Sequence, residues 1–99
     1  DGANAATTGD GANAATTGDG ANAATTGYGA NAEARGKDSV AACLGLNGKA
    51  KAGENGAIVI SYWDEQAKRV RVKVGYVGED GIEAGVWYLV NDKAKFETA

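Results

Sequence analysis

The sequence DGANAATTG is repeated three times in succession over residues 1–27 without a single change. The period continues in altered form, since Gly36 and Gly45 follow at intervals of nine residues and Gly53 follows after eight. Repeats of fixed length are typical of solenoids, in which each repeat packs only against its neighbours. The repeat therefore indicates the fold class before any other feature is considered.

Alternate positions within each repeat hold small or apolar residues. Counted from each glycine, these are the third, fifth and seventh residues, as in Ala12, Ala14 and Thr16, and they become bulkier toward Ile58 and Ile60. Alternate residues share one face of a strand, so each repeat predicts a short strand with a thin inward row, followed by a turn. A helix is disfavoured because each nonapeptide contains two glycines and two threonines.

Nine residues are too few to enclose a core, so about two repeats are expected to form one coil with two facing strands. We predict an all-β protein whose residues 1–56 form a β-solenoid of the β-roll or β-helix type. A lone Cys43 in the inward row is expected to behave as a small hydrophobic residue.

Residues 57–99 are predicted to form a small antiparallel β-meander that packs on the solenoid as a C-terminal cap. RVRVKVGYV (69–77) alternates strictly, with valines on one face and basic residues on a face expected to be solvated, and GVWYLV (85–90) is a further apolar segment. The meander is expected to cover the outward residues Val40 and Leu44 of the fifth repeat.

Residues 27–61, GYGANAEARGKDSVAACLGLNGKAKAGENGAIVIS, resemble uncharacterised nonapeptide-repeat proteins of gut bacteria and their phages. The most specific parts are GKDSVA (36–41) and GKAKA (48–52). The repeats of that family have the form G-D-x-S-A-A-x-x-T and end in a short β region. The resemblance thus implies a β-solenoid with a C-terminal β cap and implies no activity. A looser similarity to trimeric adhesin head repeats and to ice-nucleation repeats does not extend to the repeat period.

The composition disfavours several classes of function. The chain has 99 residues, a net charge of −3, no histidine and one cysteine. The acidic balance argues against nucleic-acid binding, and the most versatile acid–base and metal-binding side chain is missing. No apolar run approaches the roughly 20 residues that a membrane span needs. We expect no enzyme, cofactor, metal site, nucleic-acid partner or membrane insertion.

Two kinds of site are nevertheless worth considering. Each turn, T-G-D-G-A-N, offers one Asp and one Asn to calcium, which prefers six to eight oxygen ligands, so the Asp and Gly are better explained as turn residues. Exposed ladders and cap aromatic residues would suit a glycan or an ordered water lattice. These candidate binding residues are Thr8, Thr17, Thr26, Asn4, Asn13, Asn22, Trp63 and Trp87.

The leading hypothesis is a structural repeat module, such as a stalk, a fibre or a surface-display solenoid, without catalytic activity. The alternative is a binding module that recognises a glycan, a surface ligand or an ice or water lattice. The open N-terminal coil, in which Asp1 is the charge of the first repeat, is expected to self-associate through its unpaired edges. Extracellular, cell-surface or virion locations fit these hypotheses.

Overall fold

The computed structural model describes residues 4–99, which form ten strands and no helix. The expected charge at the open edge, Asp1, lies outside the described residues. The strands are β1 (Asn4–Thr7), β2 (Asn13–Thr16), β3 (Asn22–Thr25), β4 (Asn31–Ala34), β5 (Val40–Cys43), β6 (Lys49–Ala52), β7 (Ala57–Asp64), β8 (Arg69–Tyr76), β9 (Tyr88–Val90) and β10 (Phe96–Thr98). The all-β solenoid predicted from the repeat is confirmed.

Consecutive repeats alternate between two sheets of five strands each. Sheet A has the strand order β1-β3-β5-β7-β8, and sheet B has the order β10-β9-β6-β4-β2. Repeats two apart pair in parallel, so that Asn4 lies beside Asn22 and Asn13 lies beside Asn31. One coil therefore takes eighteen residues, which is the two nonapeptides expected from the sequence.

Within the repeats, alanine is the most frequent residue of the core between the two sheets. Ala14, Ala23, Ala32, Ala41 and Ala50 are each no more than 3% exposed. They occupy the fifth position after each repeat glycine, where the sequence predicted the inward row. Small side chains let the two sheets approach closely, and the packing leaves no room for a larger residue.

The turns explain why glycine recurs at fixed positions. The turn residue two after each repeat glycine has a positive φ, near 69° at Gly11 and Gly20 and 60° at Asp38 and Asn47. This left-handed conformation suits glycine, and Asp and Asn tolerate it better than other residues. The repeat glycine itself is needed for close stacking, because a Cβ at Gly36 would overlap the carbonyl oxygen of Gly18 in the preceding coil.

The C-terminal strands are shared between the two sheets. In sheet A, β7 pairs in parallel with β5 and antiparallel with β8, and in sheet B, β9 pairs antiparallel with β6 and β10. Bulkier residues fill the core here, namely Ile58, Ile60, Ile82 and Tyr88, each at most 4% exposed. Gly75 allows the Phe96 ring to approach β8, because a Cβ at this position would lie 2.9 Å from that ring.

The expected covering of the fifth repeat is wrong. β7 and β8 continue sheet A sideways from β5, and they do not lie over its outer face. Leu44, which follows β5, consequently remains 46% exposed. Parallel pairing with β7 satisfies the backbone groups of β5, and this edge-on extension leaves the outer face of sheet A bare.

The valines of β8 lie on the outer face of sheet A, and the basic side chains of β8 lie on its inner side. Val74 pairs with Val59 on the outer face of sheet A, whereas Lys73 pairs with Ile60 on the inner side. The basic side chains on the inner side are partnered: Lys73 lies 5.6 Å from the centre of the Phe96 ring, and Arg71 contacts Asp64 at 2.7 Å. The valines therefore face solvent, but Arg69 and Arg71 are exposed as well, as expected for a solvated basic face, and only Lys73 is half-buried.

Candidate functional site

The asparagine ladders predicted from the repeat are present but are split between two opposite faces. On sheet A, the side chain of Asn22 donates a hydrogen bond to Oδ1 of Asn4 at 3.4 Å. On sheet B, Asn31 donates to Oδ1 of Asn13 at 2.7 Å. Each ladder links two neighbouring coils, and its hydrogen bond uses the side-chain N–H of one asparagine and the side-chain oxygen of the other. The structure therefore does not bring Asn4, Asn13 and Asn22 together on one surface.

The outward threonines are divided in the same way. Thr8, Thr17 and Thr26 are all exposed, but Thr8 and Thr26 follow strands of sheet A and Thr17 follows a strand of sheet B. The threonines one position earlier point into the core, and the hydroxyls of Thr16 and Thr25 have no hydrogen-bond partner there. A regular lattice-binding array needs a longer row of hydroxyls than two.

Trp87 lies outside sheet B, where two lysines cover its ring. The Nζ atoms of Lys49 and Lys51 lie 5.6 and 5.0 Å from the centre of the ring. Cation–π attraction of this kind fixes the ring against the sheet and occupies the face that a sugar would use. Trp87 therefore serves to attach the segment before β9 to the outside of the solenoid.

Trp63 lies elsewhere, at the far end of β7, and is 50% exposed. Its indole nitrogen donates to the carboxylate of Glu65 at 2.7 Å, and this bond, followed by the one from Lys68, holds the pKa of Glu65 below its usual range. The two tryptophans proposed as a joint platform are thus on different parts of the molecule, and only Trp63 borders a large cleft.

The cleft beside Trp63 has a volume of about 880 Å³. It exists because β7 has eight residues whereas the strands of the repeats have four, so that the β7–β8 hairpin extends beyond the corner where the chain turns from β5 to β6. Tyr62 and Trp63 line the cleft from this hairpin, Leu46 and Asn47 from the corner, and Leu89 from β9. A cleft of this size can hold a small ligand or part of a chain.

Some of the polar groups at the rim of the cleft already form hydrogen bonds with neighbouring residues. The Asn47 side chain contacts the hydroxyl of Tyr28, and Oδ1 of Asn91 accepts the backbone N–H groups of Lys93 and Lys95 at 2.9 and 3.1 Å. Asp92 also lines the rim. The lining thus combines aromatic and aliphatic walls with amides, carboxylates and the ammonium group of Lys49, a mixture that suits a polar ligand such as a sugar.

The aspartates of the turns stabilise the stacked coils. Oδ1 of Asp10 accepts the backbone N–H of Tyr28 at 3.2 Å, and Oδ1 of Asp19 accepts that of Lys37 at 3.0 Å. Each carboxylate is therefore directed at the coil above it. Within residues 4–99, no three His, Cys, Asp or Glu side chains are grouped closely enough to bind a metal ion.

A network of three charged side chains lies on the outer face of sheet B. Glu33 accepts from the guanidinium of Arg35 and lies 3.2 Å from Nζ of Lys51. The hydrogen bond from Arg35, with the charge and hydrogen bond of Lys51, keeps the pKa of Glu33 below its usual range. This ion-pair network bridges β4 and β6, because Glu33 and Lys51 are direct partners in the parallel register.

Sequence reasoning found Trp63 but missed the cleft that it borders. The available signal was length: AIVISYWD runs for eight residues, twice the strand length of the repeats, so its second half had to project past the coil.

No helix long and apolar enough to cross a membrane occurs in residues 4–99. Comparisons with protein-family models, curated proteins and solved structures gave no match to this chain.

Proposed function

We propose that this protein is a structural repeat module, a solenoid spacer whose length is set by the number of coils and which presents its C-terminal cap. The observation that carries the proposal is the eighteen-residue register, in which the identical strands β1 and β3 stack on one another and β2 stacks in the same register on the altered strand β4. Each added coil satisfies the backbone groups of the last one and creates the same edge again. Such a design favours extension by duplication.

The side chains of the repeat serve this stacking. The asparagine pairs, the turn aspartates and the alanine rows each make contacts to the coil eighteen residues away. Ser39, the hydroxyl that might otherwise suggest a nucleophile, is fully buried and donates to the carbonyl oxygen of Gly18 at 3.1 Å. These contacts support a scaffold function without catalytic activity.

Insertion of one further coil tests the spacer proposal. DGANAATTGDGANAATTG would be inserted after Gly18, and the maximum dimension would be measured by small-angle X-ray scattering. The expected result is a folded protein extended by about 4.8 Å, the spacing of neighbouring strands. The matched control inserts the same eighteen residues in scrambled order, which moves the glycines out of frame and should disrupt the stack. Unfolding or aggregation of the in-frame variant would refute the proposal.

The second candidate function is glycan binding, and the cleft bordered by Trp63 favours it. An exposed indole beside amide and carboxylate groups is suited to stacking on a sugar ring while hydrogen-bonding its hydroxyls. The ladders of Asn and Thr support ligand binding less well, because each face offers only two repeats of the pattern.

A glycan array with two matched tryptophan variants tests this second candidate. Trp63→Ala should abolish any binding seen for the unmodified protein, because Trp63 borders the cleft. Trp87→Ala should leave binding unchanged, because Trp87 does not line the cleft. Equal loss in both variants, or no binding by the unmodified protein, would argue against a sugar site in the cleft.

A further inference from the structure

The outer face of sheet A carries a continuous exposed apolar surface at its C-terminal end. We call it the apolar face. On β8, Val70 and Val74 are 46% exposed and Val72 and Tyr76 are 56% exposed. Leu44 beside β5 and Trp63 on β7 extend the same surface, at 46% and 50% exposure. Six of the seven large exposed hydrophobic side chains in residues 4–99 thus belong to one face.

The apolar face also lacks charge. Its half-buried members on β5 and β7 are Val40, Ala42 and Val59, and its single hydroxyl side chain besides Tyr76, that of Ser61, is 3% exposed. The outer face of sheet B is different, since it carries the charged residues Glu33, Lys49 and Lys51. A chain of net charge −3 has therefore placed no charged side chain of β5, β7 or β8 on the outer face of sheet A.

The size of the apolar face suits a small protein interface. The exposed parts of its six large side chains amount to roughly 600 Å², the upper end of what a monomer ordinarily leaves in one apolar patch. This is about a tenth of the total surface of 5508 Å², and it approaches the roughly 800 Å² that each partner contributes to a standard interface. Such an area is sufficient for a weak but specific dimer.

The charges on β8 decide how two copies would meet. β8 is the edge strand of sheet A, but its inner side carries Arg69, Arg71 and Lys73. Antiparallel pairing of two β8 edges would place these like charges opposite one another, which is unfavourable. Packing face to face avoids that conflict, because only uncharged side chains would meet.

We propose that two copies of this chain pack their apolar faces against each other about a two-fold axis. The two A sheets then form the layers of a sandwich across the interface, spaced by about 10 Å as in other sheet-on-sheet packings. The contact is isologous, so it closes at the dimer and does not propagate. It involves the C-terminal half of sheet A and is independent of the spacer function and of any contact made by the first coil.

Sedimentation velocity of the full chain and of two lysine variants tests the proposal. Val72→Lys puts a charge at the centre of the apolar face, at a side chain already 56% exposed, so the fold is retained. Ala6→Lys makes the same change on an exposed residue of β1, in the open first coil. Circular dichroism and the melting temperature of each variant confirm that it is folded.

The unmodified protein is expected to sediment as a dimer when its concentration is raised to about 1 mM, which detects a dissociation constant as weak as roughly 1 mM. Ala6→Lys should remain dimeric, whereas Val72→Lys should sediment as a monomer with at least a tenfold higher dissociation constant. Val74→Lys should repeat the Val72→Lys result. A monomeric unmodified protein, a dimer that survives Val72→Lys, or one that is lost in Ala6→Lys would overturn the proposal.

Discussion

Replacement of Ala23 by leucine is the sharpest test of the thin alanine core. Ala23 is 1% exposed and stacks between Ala5 and Ala41 on the second strand of sheet A. Its neighbours are alanines in both adjacent coils, so the three additional carbons of leucine have no space to enter. Overpacking a core in this way costs typically about 1–3 kcal/mol and sometimes more.

The loss should be visible in thermal unfolding followed by circular dichroism. For a domain of this size, each kcal/mol shifts the melting temperature by roughly 4–8 °C, so Ala23→Leu should lower it by about 5–20 °C. The matched control is Ala24→Leu, the neighbouring residue of the same strand, which points outward and should change stability by no more than about 0.5 kcal/mol. Equal melting temperatures for the two variants would refute the inward frame.

Three further perturbations follow from the structure. EDTA should leave the melting temperature unchanged, because the turn aspartates accept backbone N–H groups; a large loss on chelation would restore the calcium interpretation. Because the pKa of Glu33 is lowered in the folded state, its ion pairs stabilise the fold fully above its ordinary pKa of about 4.5, and this contribution is lost as the pH falls through the folded pKa. In melts between about pH 7 and pH 3, Glu33→Gln should therefore reduce the fall of the melting temperature at acid pH. An unchanged acid dependence would contradict the network. Deletion of residues 1–27 should leave a folded remainder with a similar melting temperature, because the bulky core residues follow residue 57. Deletion of residues 62–99 should yield an unfolded or aggregating chain. A stable 1–61 fragment would contradict this.

The part of the fold that depends on period was predictable from the sequence. Alternation of small residues determined that Ala14, Ala23 and Ala32 point inward, and the enclosure of a core required two repeats per coil. The turn glycines were predictable for the same reason, because a left-handed conformation recurs at the same position in each repeat. These features are local or repeat from coil to coil, so each copy of the repeat adds support to the same prediction.

The parts that depend on a single long-range packing choice could not be predicted. Strict alternation in β8 identifies two faces, but it does not show that the valines would stay about half exposed on the outer face of sheet A. On the inner side, Phe96 packs on Gly75 and lies 5.6 Å from Nζ of Lys73, and these contacts join distant parts of the sequence. The separation of Trp63 from Trp87 has a similar origin, because it follows from the assignment of β7 and β9 to different sheets.

Disulfide trapping of neighbouring strands tests the central claim, the eighteen-residue coil, most directly. In a Cys43→Ala background, Asn13→Cys with Asn31→Cys places two thiols on adjacent parallel strands of sheet B, whose Cα separation of about 4.8 Å lies within the range that a disulfide spans. Asn13→Cys with Asn22→Cys places them on opposite sheets. The structure predicts rapid intramolecular oxidation of the first pair and none of the second. Oxidation of the 13/22 pair in preference to the 13/31 pair would contradict the coil described here.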